Sequence, residues 1–228
     1  MYRAKQRQLR RPVATQTLET ALKPKNLFLY SMIAVYCVIE ITLSLADSGA
    51  LGPVRLRPLA YDYGAFWPGL LGNWKPNYLA QPYAMFVTYA FLHGGLVHLS
   101  VNMISLWSLG RAILKRASIG TFTFLYVASS LSGAAGFALL APGLRPMVGT
   151  SGALFGLLGA LLAWEYMDRY TVREGIEDVA KVIALLVALN LVMWWAMSGQ
   201  LAWQAHLGGF LGGWIGALLL DYMARRRT

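Results

Sequence analysis

Four polar side chains in an otherwise apolar chain are of the types that hydrolytic catalysis uses: Ser151, His206, His98 and Asn102. A serine hydroxyl is a weak nucleophile, and it needs a base such as a neutral imidazole within hydrogen-bonding distance. Ser151 stands at the start of an apolar segment, where the free N–H groups and the positive end of a helix favour an oxyanion. Side-chain donors from a histidine and an asparagine can add to such a site.

The composition places these side chains in a membrane protein. Of the 228 residues, 57% are apolar and 13% are charged, against roughly 45–50% and 25% in ordinary globular proteins. Such a composition excludes a disordered chain and disfavours a soluble domain. The single Cys37 excludes a disulfide framework within the chain. Because no His-Glu-x-x-His occurs, and His93 and His98 would point about 140° apart on one helix, we expect no metal and no cofactor.

Six apolar stretches are close to the length of ~20 residues that a helix needs to cross a bilayer. They cover residues 27–46, 91–110, 119–141, 149–165, 179–197 and 201–220. The predicted fold class is therefore an all-α, polytopic membrane protein with six transmembrane helices. We expect a basic tail at 1–26, a membrane domain at 27–222 and a short basic end at 223–228. The segment 47–90 is rich in proline, tryptophan and tyrosine, which predicts a loop lying partly in the interface.

The basic residues predict the orientation, because lysine and arginine favour cytoplasmic loops. With both ends in the cytoplasm, sixteen of the 20 basic residues lie on that side and four on the other. The segment 47–90 is then extracytoplasmic. We interpret the basic tail as a segment retained in the cytoplasm and in contact with anionic lipid of the bilayer, and we expect no nucleic-acid partner. The expected location is a bacterial-type cell membrane.

In this topology the four polar side chains lie at a similar depth in the outer leaflet, on three different helices. His98 and Asn102 are four residues apart and share one helix face. Small residues let membrane helices pack tightly, so close approach of the fourth and sixth spans is expected to bring His206 to the Ser151 hydroxyl. The glycines in question are Gly149, Gly152 and Gly156 around Ser151, and Gly209 and Gly213 on the face of His206.

These residues resemble the signatures of the rhomboid intramembrane serine proteases over roughly residues 27–222. The matching motifs are His93-Gly-Gly-Leu-Val-His98-Leu-Ser-Val-Asn102-Met, Gly149-Thr-Ser151-Gly152 with Gly156, and Ala205-His206-Leu-Gly-Gly209 with Gly213. Each motif alone is weak, whereas their order and their placement on three spans are specific.

The resemblance implies a six-helix rhomboid core around a Ser–His dyad. Ser151 would be the nucleophile and His206 the general base. His98, Asn102 and the Ser151 backbone N–H would form the oxyanion hole. The substrates implied are single-pass transmembrane proteins, cleaved near the outer leaflet.

The chain departs from the family pattern at two places. Phe155 stands where a tyrosine often packs under the histidine, and it keeps the ring without the hydroxyl. Ala84 and Met85 stand where a Trp-Arg pair is common. No acid is placed to complete a triad, so the histidine must be oriented by packing and hydrogen bonds.

Other interpretations stay open. Ser151 could be only a helix N-cap and His206 only an interhelical hydrogen-bonding group. A catalytically inactive rhomboid relative could bind and escort membrane helices, and a channel or transporter is a third class. The presence of both Ser151 and His206 favours the protease, and the lack of internal repeats disfavours the transporter. Glu40 and Asn190 are assigned no function.

Overall fold

The computed structural model describes residues 24–53, 55–141 and 145–226. The basic residues predicted for the tail before residue 24, together with Arg227 and Thr228, lie outside the described residues. Within this part of the chain there are eight α-helices: Pro24–Asp47 (α1), Leu56–Gly64 (α2), Gln81–Thr88 (α3), Leu96–Arg116 (α4), Ile119–Leu140 (α5), Ser151–Val172 (α6), Glu177–Ala196 (α7) and Trp203–Arg225 (α8). Two short 3-10 helices, Pro68–Leu71 and Tyr89–Phe91, lie before α3 and after it.

Six of these helices have 20 or more residues, and they follow the six apolar stretches in order. Helices α1, α5, α7 and α8 are each long and apolar enough to cross a membrane, and α3 with its 3-10 turn plus α4 gives a fifth candidate, bent by 81°. Helix α6 does not meet this criterion, because it combines several small residues with Glu165 and Asp168 near its end. An all-helical, multi-pass membrane architecture is thus confirmed, while apolarity alone supports four or five spans.

Helix α8 packs mainly against α6 and α5. Its glycines make backbone contact with α6: a Cβ added at Gly213 would overlap the Gly156 carbonyl oxygen, and one added at Gly209 would overlap that of Gly152. Small residues allow this approach in membranes, where van der Waals packing rather than the hydrophobic effect drives helix association. The glycines thus allow the backbones of α6 and α8 to lie in direct contact at this level.

Helix α7 lies at the periphery of the bundle. Its main helix contact is α6, and Val179 is its only buried residue. Beyond residue 181, and apart from Asn190, its sequence is apolar on all sides, which is typical of a helix that is exposed to lipid. Its position therefore depends on few contacts with the other helices.

The segment between α1 and α4 is tied to α1 by Arg57. The Nη2 and Nη1 atoms of Arg57 donate to the two carboxylate oxygens of Glu40 at 2.7 and 3.0 Å, and Glu40 is 0% exposed. The hydrogen bond to Glu40 raises the pKa of Arg57. Arg57 and Tyr61 each also donate to the His93 carbonyl oxygen at 2.8 Å. This network holds the turn that leads into α4.

The second predicted span begins later than expected, because the chain turns before α4. Gly95 has a φ of 105°, a left-handed conformation that favours glycine, and the helix begins at Leu96 rather than at residue 91. His93 lies in this turn and not on the helix. The expected divergence of His93 and His98 was therefore wrong: their ring centroids are 5.2 Å apart.

Candidate active site

Ser151 and His206 are in hydrogen-bonding contact. Ser151 is the first residue of α6, and His206 lies in the first turn of α8. The Ser151 Oγ and the His206 Nε2 are 2.9 Å apart, and His206 is 8% exposed. The glycine contacts between α6 and α8 bring these two helix ends together. A hydroxyl and a neutral imidazole at this distance have the geometry of a nucleophile and its general base.

Two further side chains fix the orientation of the His206 ring. The Phe155 ring stacks on it with centroids 4.1 Å apart and planes 7° apart. On the other edge of the imidazole, Nδ1 is 2.6 Å from Oδ1 of Asn190 in α7. The imidazole is thus held by one stacking contact and by a hydrogen bond at each nitrogen.

The sequence alone does not indicate a function for Asn190. The signal was a lone amide in the middle of an otherwise apolar span, which is costly in lipid. The sequence does not predict how α7 is rotated about its axis, because a helix that is apolar all round has no polar face to indicate its orientation. The contact with His206 depends on that rotation.

His98 lies against the segment that precedes Ser151. A Cβ added at Gly149 would lie 2.7 Å from the His98 Cε1 and 2.9 Å from its Nε2. The backbone N–H of Gly94 is 3.2 Å from the His98 Nδ1, which therefore accepts. A neutral His98 then carries its proton on Nε2. That N–H lies at the edge of the ring facing Gly149, two residues before Ser151.

Asn102 presents an unused donor one turn further along α4. It is 3% exposed, and its Nδ2 has no hydrogen-bond partner among the described residues. A buried polar group without a hydrogen bond lowers the stability of the fold by about 1–3 kcal/mol, so such a group suggests a functional role. The first turn of α6 likewise has no side-chain cap. These N–H groups are available to a negatively charged group near Ser151.

His93 does not belong to this set of donors. It is fully buried, and neither ring nitrogen has a hydrogen-bond partner among the described residues. Its ring packs edge-on against Tyr36 and against His98. No group of three or more His, Cys, Asp or Glu side chains that could hold a metal ion occurs in residues 24–53, 55–141 and 145–226.

A groove of about 710 Å³ lies between α7 and α8 and reaches His206. His206 and Asn190 contribute its polar groups, while the rest of its wall is apolar or aromatic, with Phe155, Trp194 and Trp203 among the largest side chains. The groove therefore extends from His206 to the exposed flank of the bundle at α7.

Comparison with known proteins identifies the family of the chain. A family model of the Rhomboid domain matches residues 80–222, which is more than half of the chain. The chain belongs to the rhomboid family. The matched region runs from residue 80, just before α3, to residue 222 in α8, and it includes Ser151, His206, His98 and Asn102.

Individual relatives support the same assignment. The chain is 33% identical over 129 residues to "Rhomboid protease GluP" of Bacillus subtilis, a match that covers 57% of this chain and 24% of that protein. It is 39% identical over 132 residues to "RHOMBOID-like protein 5" of Arabidopsis thaliana, covering 57% and 42%. It is 29% identical over 162 residues to "Rhomboid protein 1, mitochondrial" of Saccharomyces cerevisiae, covering 60% and 43%. The match spans less than half the length of each of these three rhomboid relatives.

Proposed function

We propose that this protein is an intramembrane serine endopeptidase that cleaves single-pass membrane proteins near the outer leaflet. Membership of the rhomboid family supports protease activity in general. The observation that carries the assignment for this chain is the 2.9 Å contact between the Ser151 Oγ and the His206 Nε2.

The proposed reaction has two steps. The Ser151 Oγ attacks the scissile carbonyl carbon while the His206 Nε2 takes the hydroxyl proton. The tetrahedral intermediate then collapses: the C–N bond breaks, and His206 gives its proton to the departing amine. Water, with His206 again as base, hydrolyses the resulting ester at Ser151 and restores the free enzyme.

Three donors are proposed to stabilise the oxyanion of that intermediate: the His98 Nε2–H, the Asn102 amide and the Ser151 backbone N–H. The position of His98 against Gly149 supports the first. The unpartnered Asn102 Nδ2 supports the second. The start of α6 at Ser151, without a side-chain cap, supports the third. Such donors are already in position before the reaction begins, so the site needs little reorganisation as negative charge develops on the oxygen.

We further propose six membrane spans with both ends in the cytoplasm, which places the site in the outer leaflet. A scissile peptide must leave its helix to reach Ser151, so substrates with glycine or proline near their outer membrane end are favoured. A reporter fused after Thr228 should then be cytoplasmic, and one inserted near Gly64 extracytoplasmic. Opposite locations of the two reporters would contradict this orientation.

The test of the activity uses the purified full chain, a fluorophosphonate probe and a model transmembrane substrate. Wild type should react with the probe and cleave the substrate. Ser151→Ala and His206→Ala should each abolish cleavage, and the double variant should be little worse than either single one, because the pair acts as a unit. Ser100→Ala, at an exposed position of α4, is the matched control and should retain activity.

Two outcomes would contradict the proposal. Cleavage by Ser151→Ala at the wild-type rate would exclude this serine as the nucleophile. A folded wild type that binds the substrate, but neither cleaves it nor reacts with the probe, would instead indicate the inactive escort protein.

A further inference from the structure

We propose that Asn190 is a positioning residue for the reaction: it holds His206 in the tautomer whose Nε2 can accept the Ser151 proton. The inference rests on the proposed function. It adds a third side chain, contributed by α7, to the Ser–His pair. The ability of His206 to accept the serine proton then depends on the position of α7.

The orientation of the Asn190 amide follows from its two partners. Its Nδ2 lies 3.0 Å from the Leu186 carbonyl oxygen, which can only accept a hydrogen bond. The NH₂ group must therefore face Leu186. The Oδ1 atom then faces His206, in agreement with its 2.6 Å distance from Nδ1.

This orientation determines the location of the His206 proton. The Asn190 Oδ1 has no hydrogen to donate, so the hydrogen bond to it requires a proton on Nδ1. In a neutral imidazole the other nitrogen, Nε2, is then unprotonated. Nε2 accepts the hydrogen bond of the Ser151 hydroxyl at 2.9 Å. The Leu186 carbonyl therefore orients the Asn190 amide, the amide oxygen places the imidazole proton on Nδ1, and the free Nε2 accepts from the Ser151 hydroxyl.

Without Asn190 the opposite tautomer is no longer disfavoured. A proton on Nε2 would make that atom a donor to Ser151, and it could not accept the serine proton. The Phe155 ring fixes the plane of the imidazole through a stacking contact, but stacking does not select which nitrogen carries the proton. Asn190 therefore selects the tautomer of His206, which Phe155 cannot do.

The location of Asn190 argues against a purely structural role. Helix α7 is exposed along most of its length, and an amide on such a helix is costly in lipid unless it has a partner. An apolar residue at position 190 would suit lipid and the apolar groove better. If packing were the only requirement, Asn190→Leu should be tolerated or stabilising.

An amide carries no net charge and cannot stabilise the imidazolium as the carboxylate of a Ser-His-Asp triad does, so its effect should be smaller. The loss of one neutral hydrogen bond corresponds to about a tenfold effect on rate. We therefore expect Asn190→Leu to lower kcat about tenfold.

The experiment compares three variants of the full chain with wild type. Asn190→Leu removes the acceptor at similar volume. Asn190→Asp keeps an acceptor oxygen at the same place and should recover most of the lost rate. Val187→Ala, which lines the same groove on α7, is the matched control and should behave as wild type.

Two measurements are made on each variant: kcat and KM for a transmembrane substrate, and the rate of reaction of Ser151 with a fluorophosphonate. For Asn190→Leu both kcat and the labelling rate should fall about tenfold, with KM little changed. The labelling rate separates the two explanations, because the small probe does not depend on helix docking. A role of Asn190 in substrate entry alone would change KM or cleavage and leave labelling at the wild-type rate.

Equal labelling of Asn190→Leu and wild type would overturn the inference, and so would an equal loss in Val187→Ala. Thermal unfolding in detergent identifies a variant that does not fold, and Asn190→Ala then replaces Asn190→Leu in the comparison. If wild type itself does not react with the probe, the proposed function fails instead.

Discussion

Replacing Gly209 by alanine adds one methyl group where the backbone of α8 touches that of α6. Apart from its overlap with the Gly152 carbonyl oxygen, the new Cβ would lie 2.6 Å from the Gly152 carbonyl carbon and 3.2 Å from its Cα. Ordinary van der Waals contact begins at 3.4 Å, so the carbonyl carbon is 0.8 Å too close. The atoms in the way belong to the backbone and not to a flexible side chain. The two helices must therefore separate.

The separation acts directly on the Ser151–His206 pair. His206 lies one turn before Gly209, so a shift of at least about 0.8 Å directed away from Ser151 would lengthen the 2.9 Å distance between its Nε2 and the Ser151 Oγ to about 3.7 Å or more, beyond normal hydrogen-bonding distance. A misplacement of about 1 Å can lower an enzymatic rate ~10²-fold. We expect Gly209→Ala to lower kcat about a hundredfold. We also expect the free energy of unfolding to fall by about 1–3 kcal/mol because of overpacking.

Gly216→Ala on the same helix provides the matched control. The Cβ added there would lie 3.2 Å from Cδ2 of Leu125, the end of a flexible side chain that can move aside. Both variants should be purified in detergent, checked for folding by thermal unfolding, and assayed with a transmembrane substrate and a fluorophosphonate. A folded Gly209→Ala with the kcat of wild type would refute the reasoning, because it would mean that the contact does not set the distance between Ser151 and His206.

The remaining predictions concern the donors and the contacts around the site. Asn102→Ala should lower kcat ~10²–10³-fold with little change in KM and with slower fluorophosphonate labelling; an unchanged kcat would leave Asn102 as an interhelical contact only. Arg57→Leu should lower the free energy of unfolding by about 3–5 kcal/mol, because it strands the buried Glu40 carboxylate. The Glu40→Leu/Arg57→Leu double variant should recover most of this loss in a denaturation assay, and a double variant as unstable as the single one would contradict the pairing. Phe155→Tyr should keep kcat near wild type because it keeps the ring stacked on His206, whereas Phe155→Ala should lower kcat.

Local patterns in the sequence predicted the helices and the Ser151–His206 contact, because each depends on short-range features. The six apolar stretches follow from composition, and the glycines near Ser151 and His206 indicate which helices can approach closely. The start of α4 was misplaced because Gly95 interrupts an apolar run without changing its hydropathy. A conformational break of this kind is not visible in the apolar pattern.

The contacts that the sequence did not predict join separate elements for which no glycine pattern indicates a close approach. Glu40 and Arg57 meet only because α2 folds back on α1, and the length of the connecting loop does not determine that path. Asn190 meets His206 only because α7 is rotated to face α8 at that level. Both pairs depend on the relative placement of helices, which is set by the whole bundle and not by any segment of it.

The positions of Ser151 and His206 in the chain have a consequence for biosynthesis. They are 55 residues apart, and the whole of α7 lies between them. A nascent chain that has inserted α6 but not yet α8 carries the serine without its base. On the proposed mechanism, peptide hydrolysis cannot begin until the ribosome has released α8 into the bilayer and α8 has docked on α6. On the same mechanism, the unfinished chain cannot cleave neighbouring proteins at the insertion machinery.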